Sequence, residues 1–128
     1  MAAKVNFYKS KIQLQIKGAT EETIKNIAHR IEERAKINVV DNDQIDTGAM
    51  LNGIYVVTRH SSGYGQAKAK ADSANPDAQM AGPINLGSAD AAVVAGMEYS
   101  IYQEMQQSFL YKAAEQTGPE VGGLIKKL

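Results

Sequence analysis

"QIDTGAMLNGIYVV", residues 44–57, carries three structural instructions in succession. Asp46 offers a carboxylate to backbone N–H groups two or three residues on, which starts a short helical turn over residues 48–51. Thr47-Gly48 imposes a tight local geometry, and Gly53 ends the turn. Residues 54–57 are β-branched and aromatic, the content of a buried strand. The chain therefore reverses and then enters a sheet, which fixes an α+β class provided partner strands and covering helices flank it.

They do. Upstream, "KIQLQIK" at 11–17 places Ile12, Leu14 and Ile16 on one face and Lys11, Gln13, Gln15 and Lys17 on the other, the period of a half-buried strand. Gly18 breaks it. Thr20 is then an N-cap, with Glu21 and Glu22 in the first turn where the helix dipole favours negative charge. Ile24, Ile27, Ala28, Ile31 and Ala35 form one apolar stripe. Glu21 with Lys25 and Glu32 with Lys36 are i,i+4 pairs on the wet face. This helix runs to about Val39 and stops at the turn-rich "DNDQ".

Downstream, residues 60–90 are rich in Gly, Ser, Ala, Asn and Pro, with Tyr64, Met80, Ile84 and Leu86 the only large apolar side chains. Such a composition buries too little to offset its ordering entropy, so the segment reads as a flexible arm extending a hairpin. "AAVVAG" at 91–96 resumes strand character. From Glu98, Ile101, Met105, Phe109 and Ala113 recur every four residues, predicting a helix uninterrupted until Gly118. "TGPE" at 117–120 has the form of a capping box, followed by a stripe of Val121, Leu124, Ile125 and Leu128 weakened by Gly122 and Gly123. The expected fold is a single α+β domain over residues 1–128: a small antiparallel sheet with a long hairpin arm, packed against an N-terminal helix and C-terminal helices.

Composition narrows the function. A chain of 128 residues makes one domain, and with two Phe, six Tyr and no Trp its core leans on alanine. That implies a thin core completed by neighbouring copies. Fourteen basic and fourteen acidic residues cancel, so no global field draws the chain to nucleic acid or membrane. The absence of cysteine removes disulfides, thiolate metal sites and a cysteine nucleophile. No apolar run approaches the roughly 20 residues of a membrane span, and "MAAKVNFYKSK" lacks a signal-peptide stretch. A cytoplasmic origin is expected.

The search for chemistry returns little. His29 beside the apolar stripe reads as a helix-surface residue, and His60 sits at a strand end with no zinc spacing around it. Asp41, Asp43 and Asp46 fail the EF-hand pattern because Ile45 occupies the fifth position. Gly63-Tyr64-Gly65 lacks a third glycine and reads as loop punctuation. Glu98 and Glu104 read as surface carboxylates on a helix. Lys68 and Lys70, with Arg59 and His60 nearby, are the one basic feature, candidates for contact with phosphates or an acidic partner. No catalytic, cofactor or metal site is expected, and the protein is not expected to be an enzyme.

Three segments carry a resemblance. "IDTGAMLNGIYV" at 45–56 resembles the Asp-Thr-Gly turn, leucine and strand of the siphophage neck or minor-tail component family, also described as head–tail connectors or tail-completion proteins. "VVAGMEYSIYQEM" at 93–105 is similar to that family's second signature, a strand leading to Glu-Tyr, a small residue, then Tyr and Glu. "SFLYKAAEQ" at 108–116 is similar to its third, a Phe-Leu pair ahead of alanines. On this resemblance Asp46, Thr47, Gly48, Leu51, Glu98, Tyr99, Tyr102, Glu104, Phe109 and Leu110 are structural-motif residues. The order of elements matches over roughly residues 20–128. One departure is that Glu104 runs through "MQQS" into Phe109 without the family's loop, which predicts a continuous helix where the family has a broken one.

The resemblance implies a virion protein, assembled in the host cytoplasm, whose copies form a ring at the head–tail junction around the DNA channel. Its partners would be copies of itself, the portal-side connector and the tail-terminator or tail-tube proteins, with non-specific contact to DNA and none to membrane. The alternatives are a tail-terminator-like or DNA-contacting accessory protein using Lys68 and Lys70, and a small hydrolase, for which no nucleophile–base pair is visible.

Overall fold

The structure is a computed structural model of the chain and describes residues 3–8, 11–42, 48–77, 79–98 and 100–121, with only the backbone given for 3–8 and for Ile101 and Tyr102. Four strands, β1 (Ala3–Tyr8), β2 (Lys11–Ile16), β3 (Ile54–Thr58) and β4 (Ala91–Ala95), form an antiparallel sheet in the order β1-β2-β4-β3. The helices are α1 (Glu21–Asp41), α2 (Ala49–Asn52), α3 (Tyr64–Ala74), α4 (Ser100–Gln106) and α5 (Leu110–Thr117), with a 3₁₀ turn at Gly118–Glu120. The mixed helix–strand class, with its antiparallel sheet packed against an N-terminal helix and C-terminal helices, is the one the sequence predicts.

Local chemistry sets the first half. In β2, Ile12, Leu14 and Ile16 are buried. The Thr20 side chain accepts from Thr23 N at 3.2 Å, so the expected cap starts α1. The stripe Ile24, Ile27, Ala28, Ile31, Ala35 and Val39 is buried against the sheet. Lys36 reaches Glu32 at 3.7 Å, whereas Glu21 lies 3.6 Å from His60 rather than pairing with Lys25. The short helix α2 begins at Gly48, whose φ of 90° suits glycine alone, and ends at Gly53. Asp46 and Thr47 lie outside the described residues. The strand β1 is an addition to the sequence reading: its register sets Ala3, Val5 and Phe7 opposite Ile16, Leu14 and Ile12.

Residues 60–90 are not an extended arm. β3 and β4 pair as hairpin neighbours, as expected, but α3 occupies the connection and the following coil lies over the sheet. Alanine explains the difference. "YGQAKAKADSA" is poor in bulk yet rich in strong helix formers, and Ala67 and Ala71, four apart, let the helix approach its neighbours closely. The few large residues of the segment are spent in one place: Tyr64, Met80, Ile84 and Leu86 pack on Tyr55, Val57, Ala67, Ala92 and Val94. β3 and β4 are consequently buried on both faces, and the domain has three layers. The coil also extends the pairing, with Ala81 N donating to Gly96 O at 2.7 Å and Glu98 N to Gln79 O at 2.9 Å.

The C-terminal helix is not continuous either. α4 ends at Gln106 and α5 starts at Leu110, so the stripe of every fourth residue loses its phase. Met105 is 77% exposed while Phe109 is fully buried. "TGPE" is not a capping box. Thr117 Oγ1 donates to Ala113 O at 2.9 Å within α5, and Glu120 pairs instead with Arg34 and Arg30. Val121 is buried; Leu124, Ile125 and Leu128 fall outside the described residues.

Phe109 is the largest fully buried side chain among the described residues and joins α5 to the core of β2, β4 and α1. Phe109→Ala is expected to lower stability by about 3–5 kcal/mol in urea unfolding, the usual cost of deleting a buried phenylalanine. A loss within roughly 0.5 kcal/mol, the surface range, would contradict that placement.

Candidate functional site

Two features stand out: a turn between α4 and α5 built around a buried carboxylate, and a cleft between α1 and α3. Glu104 is 7% exposed, not the surface carboxylate its helical position implies. Its Oε1 accepts from Phe109 N at 3.1 Å and Leu110 N at 2.8 Å. Its Oε2 accepts from Tyr111 N at 3.3 Å and from the Ser108 hydroxyl. Phe109 itself, the residue before α5, has no capping side chain, so Glu104 from the preceding helix satisfies the first N–H groups of α5. The carbonyls of the same turn are met from α1: Asn38 Nδ2 donates to Phe109 O at 3.1 Å, and Asn42 Nδ2 to Ser108 O at 2.9 Å. Asn38 and Asn42 are one helical turn apart, so both face the turn. At the other end of α5, Arg34 donates to Gln116 O at 3.1 Å and Thr117 Oγ1 at 3.0 Å, and is ion-paired with Glu120. The Arg34 hydrogen bond holds the Glu120 carboxyl below its ordinary range, with the charges of Arg34 and Arg30 adding to the effect.

The cleft, of about 630 Å³, lies beside β3 at the end of the sheet. The strand's outer edge is closed by residues 61–63, with Thr58 N donating to Ser61 O at 2.8 Å and Gly63 N to Val56 O at 2.9 Å. A Cβ on Gly63 would stand 3.3 Å from Tyr55 Cβ and 3.4 Å from Val56 O, so a glycine permits this close approach. The Gly63-Tyr64-Gly65 run thus opens a helix rather than punctuating a loop. One wall of the cleft is the α1 row Lys25, His29, Glu32 and Lys36, spaced i, i+4, i+7 and i+11. The other is Gly65, Gln66 and Lys70 on α3. Glu32 is held between His29 Nδ1 at 3.2 Å and Lys36 Nζ at 3.7 Å.

The sequence-expected residues therefore separate. Lys68 turns to Asp72, 2.8 Å away, and this hydrogen bond raises its pKa; Lys70 faces the cleft. His60, exposed, sits by Glu21, and Arg59 by Asp90 at 3.5 Å. Gly48 and Leu51 flank the start and body of α2, Glu98 is exposed, and Glu104, Phe109 and Leu110 come together at the α4–α5 turn. Tyr99 and the Tyr102 side chain lie outside the described residues. Among the described residues, no three metal-ligating side chains gather. Lys25, His29 and Lys36 as a cleft wall went unnoticed in the sequence; their signal is a second, polar stripe on α1 with helical spacing.

Beneath the coil, Tyr55 is 2% exposed and its hydroxyl has no partner. Its ring meets Tyr64 edge-on, centroids 5.7 Å apart. Burial, with a smaller contribution from Tyr64, pushes the Tyr55 phenol up to about 12.

Comparison with protein families, curated proteins and solved structures finds no match.

Two outcomes are expected. Glu104→Ala strands buried N–H donors and should cost about 1.5–3 kcal/mol, whereas Glu104→Gln, keeping one acceptor oxygen, should cost distinctly less in the same denaturation assay. Tyr55→Phe removes an orphaned hydroxyl and should raise the melting temperature at neutral pH. Because the folded phenol's pKa is raised, the stability this group contributes by staying neutral is fully present below about pH 10 and lost towards pH 12. The advantage of Tyr55→Phe should therefore widen between those values, as alkaline melting curves will report.

Proposed function

We propose that the chain is a structural protein of a tailed-phage virion, a neck or tail-completion component whose copies close into a ring around the DNA channel. The observation that carries this reading is the break after Glu104. The sequence resemblance had one departure, a helix running unbroken where the family's is broken, and the chain breaks there after all, between Gln106 and Leu110. The element order around it also fits: helix, short turn and strand, long connection, strand, helix pair.

The chemistry of the surface supports assembly. Ile37, Val40, Met105 and Tyr111 are 49%, 54%, 77% and 45% exposed, all on α1, α4 and α5, the helices joined at the Glu104 turn. Neighbouring copies would cover them. The alanine-rich core fits the same reading, since a small domain gains from burial between subunits. Among the described residues no helix is long and apolar enough to cross a membrane.

The test is imaging. Electron microscopy of the concentrated protein should show closed rings with a central opening, and Val40→Glu with Met105→Glu should abolish them without lowering the melting temperature. A protein that stays monomeric at high concentration and joins neither capsids nor tails would overturn the reading.

A further inference from the structure

We infer that the cleft between α1 and α3 is a binding site for a phosphate-bearing ligand, with Lys25 and Lys70 as its charge contacts from opposite walls. The inference stands apart from the assembly reading, because it rests on the charges of the cleft alone.

The chain is neutral overall, yet the cleft is not: Lys25, Lys36 and Lys70 line it with His29, against the single carboxylate of Glu32. That carboxylate is already engaged, 3.2 Å from His29 and 3.7 Å from Lys36. Lys25 and Lys70 carry no ion pair among the described residues, and both are exposed. Lys68, four positions before the carboxylate of Asp72, is neutralised by it and does not line the cleft. Of the two lysines on α3 the fold thus leaves one unpaired in the lining of the cleft, on the wall opposite α1. Two ammonium groups from separate walls suit an anion with several oxygens directed apart, and lysine acts towards phosphate as a point charge needing no planar fit. The cleft's 630 Å³ is far more than one phosphate fills and lies in the range of small-molecule sites, so it has room for a ligand larger than the anion itself. A phosphorylated small molecule and a stretch of nucleic-acid backbone both meet that description.

The experiment uses the full chain with two probes, inorganic phosphate followed by NMR and a short fluorescent DNA strand followed by anisotropy over a salt series. Expected are saturable shifts at His29 and residues 61–66. Lys25→Gln with Lys70→Gln should weaken binding about tenfold or more and flatten the salt dependence of DNA binding by roughly 1.4–1.8 in log–log slope. Lys68→Gln, the same change of charge on the same helix, should alter neither. Saturation by phosphate without DNA binding identifies a small phosphorylated ligand, and salt-dependent binding of DNA through the same two lysines identifies its backbone; both support the inference. It is overturned if neither probe saturates, if Lys68→Gln weakens binding as much as the double change, or if polyglutamate of equal charge binds as tightly through the same residues. Thermal melts of the variants, all at exposed positions, exclude unfolding as the cause.

Discussion

The carboxylate of Glu104 holds the helical half of the molecule in its shape. It leaves one helix, turns inward, and accepts from Phe109 N and Leu110 N at the start of the next. A buried charge is costly unless its hydrogen-bonding capacity is met, and here backbone donors and the Ser108 hydroxyl meet it. The same contacts remove the need for a capping side chain on Phe109, which is free to insert into the core. Asn38 and Asn42 complete the arrangement, each donating from its amide nitrogen to one carbonyl of the turn. The direction of α5 is thereby tied to α1, and Arg34 ties its far end.

A second constraint acts on the sheet. Its end strand β3 is buried throughout and needs cover on both faces and along its edge. α1 covers one face, the coil after α3 the other, and residues 61–63 the edge. Gly96 shows how tightly the layers meet: a Cβ there would lie 2.6 Å from Met80 Cε and 3.0 Å from Gly53 O. The connection between β3 and β4 is thus a structural layer, and placing α3 there creates the cleft whose walls carry Lys25 and Lys70.

Much of this was legible in single stretches. The alternation of β2, the Thr20 cap, the α1 stripe and the strand character of β3 and β4 depend on neighbours within a few residues, and each formed as its pattern predicts. The site was far less legible. Lys68 and Lys70 look equivalent in the sequence, and only the geometry of α3 gives one to Asp72 and the other to the cleft. Glu104 looks like any carboxylate on a helix surface, because the groups it binds lie four to seven residues ahead, in and beyond a break with no Gly or Pro to announce it.

By itself the sequence determined the class of the fold, the strands β2, β3 and β4 and the apolar face of α1, since periodicity and capping are local properties of the chain. Tertiary structure decided three things: where the alanine-rich helix at 64–74 docks, that the C-terminal helix divides between Gln106 and Leu110, and that two lysines 45 positions apart share a cleft. The physical reason is common to all three. Weak local preference is settled by long-range contact: Ala71 against the core for α3, Asn38 and Asn42 against the turn for α4 and α5, and the packing of α1 and α3 beside β3 for the cleft.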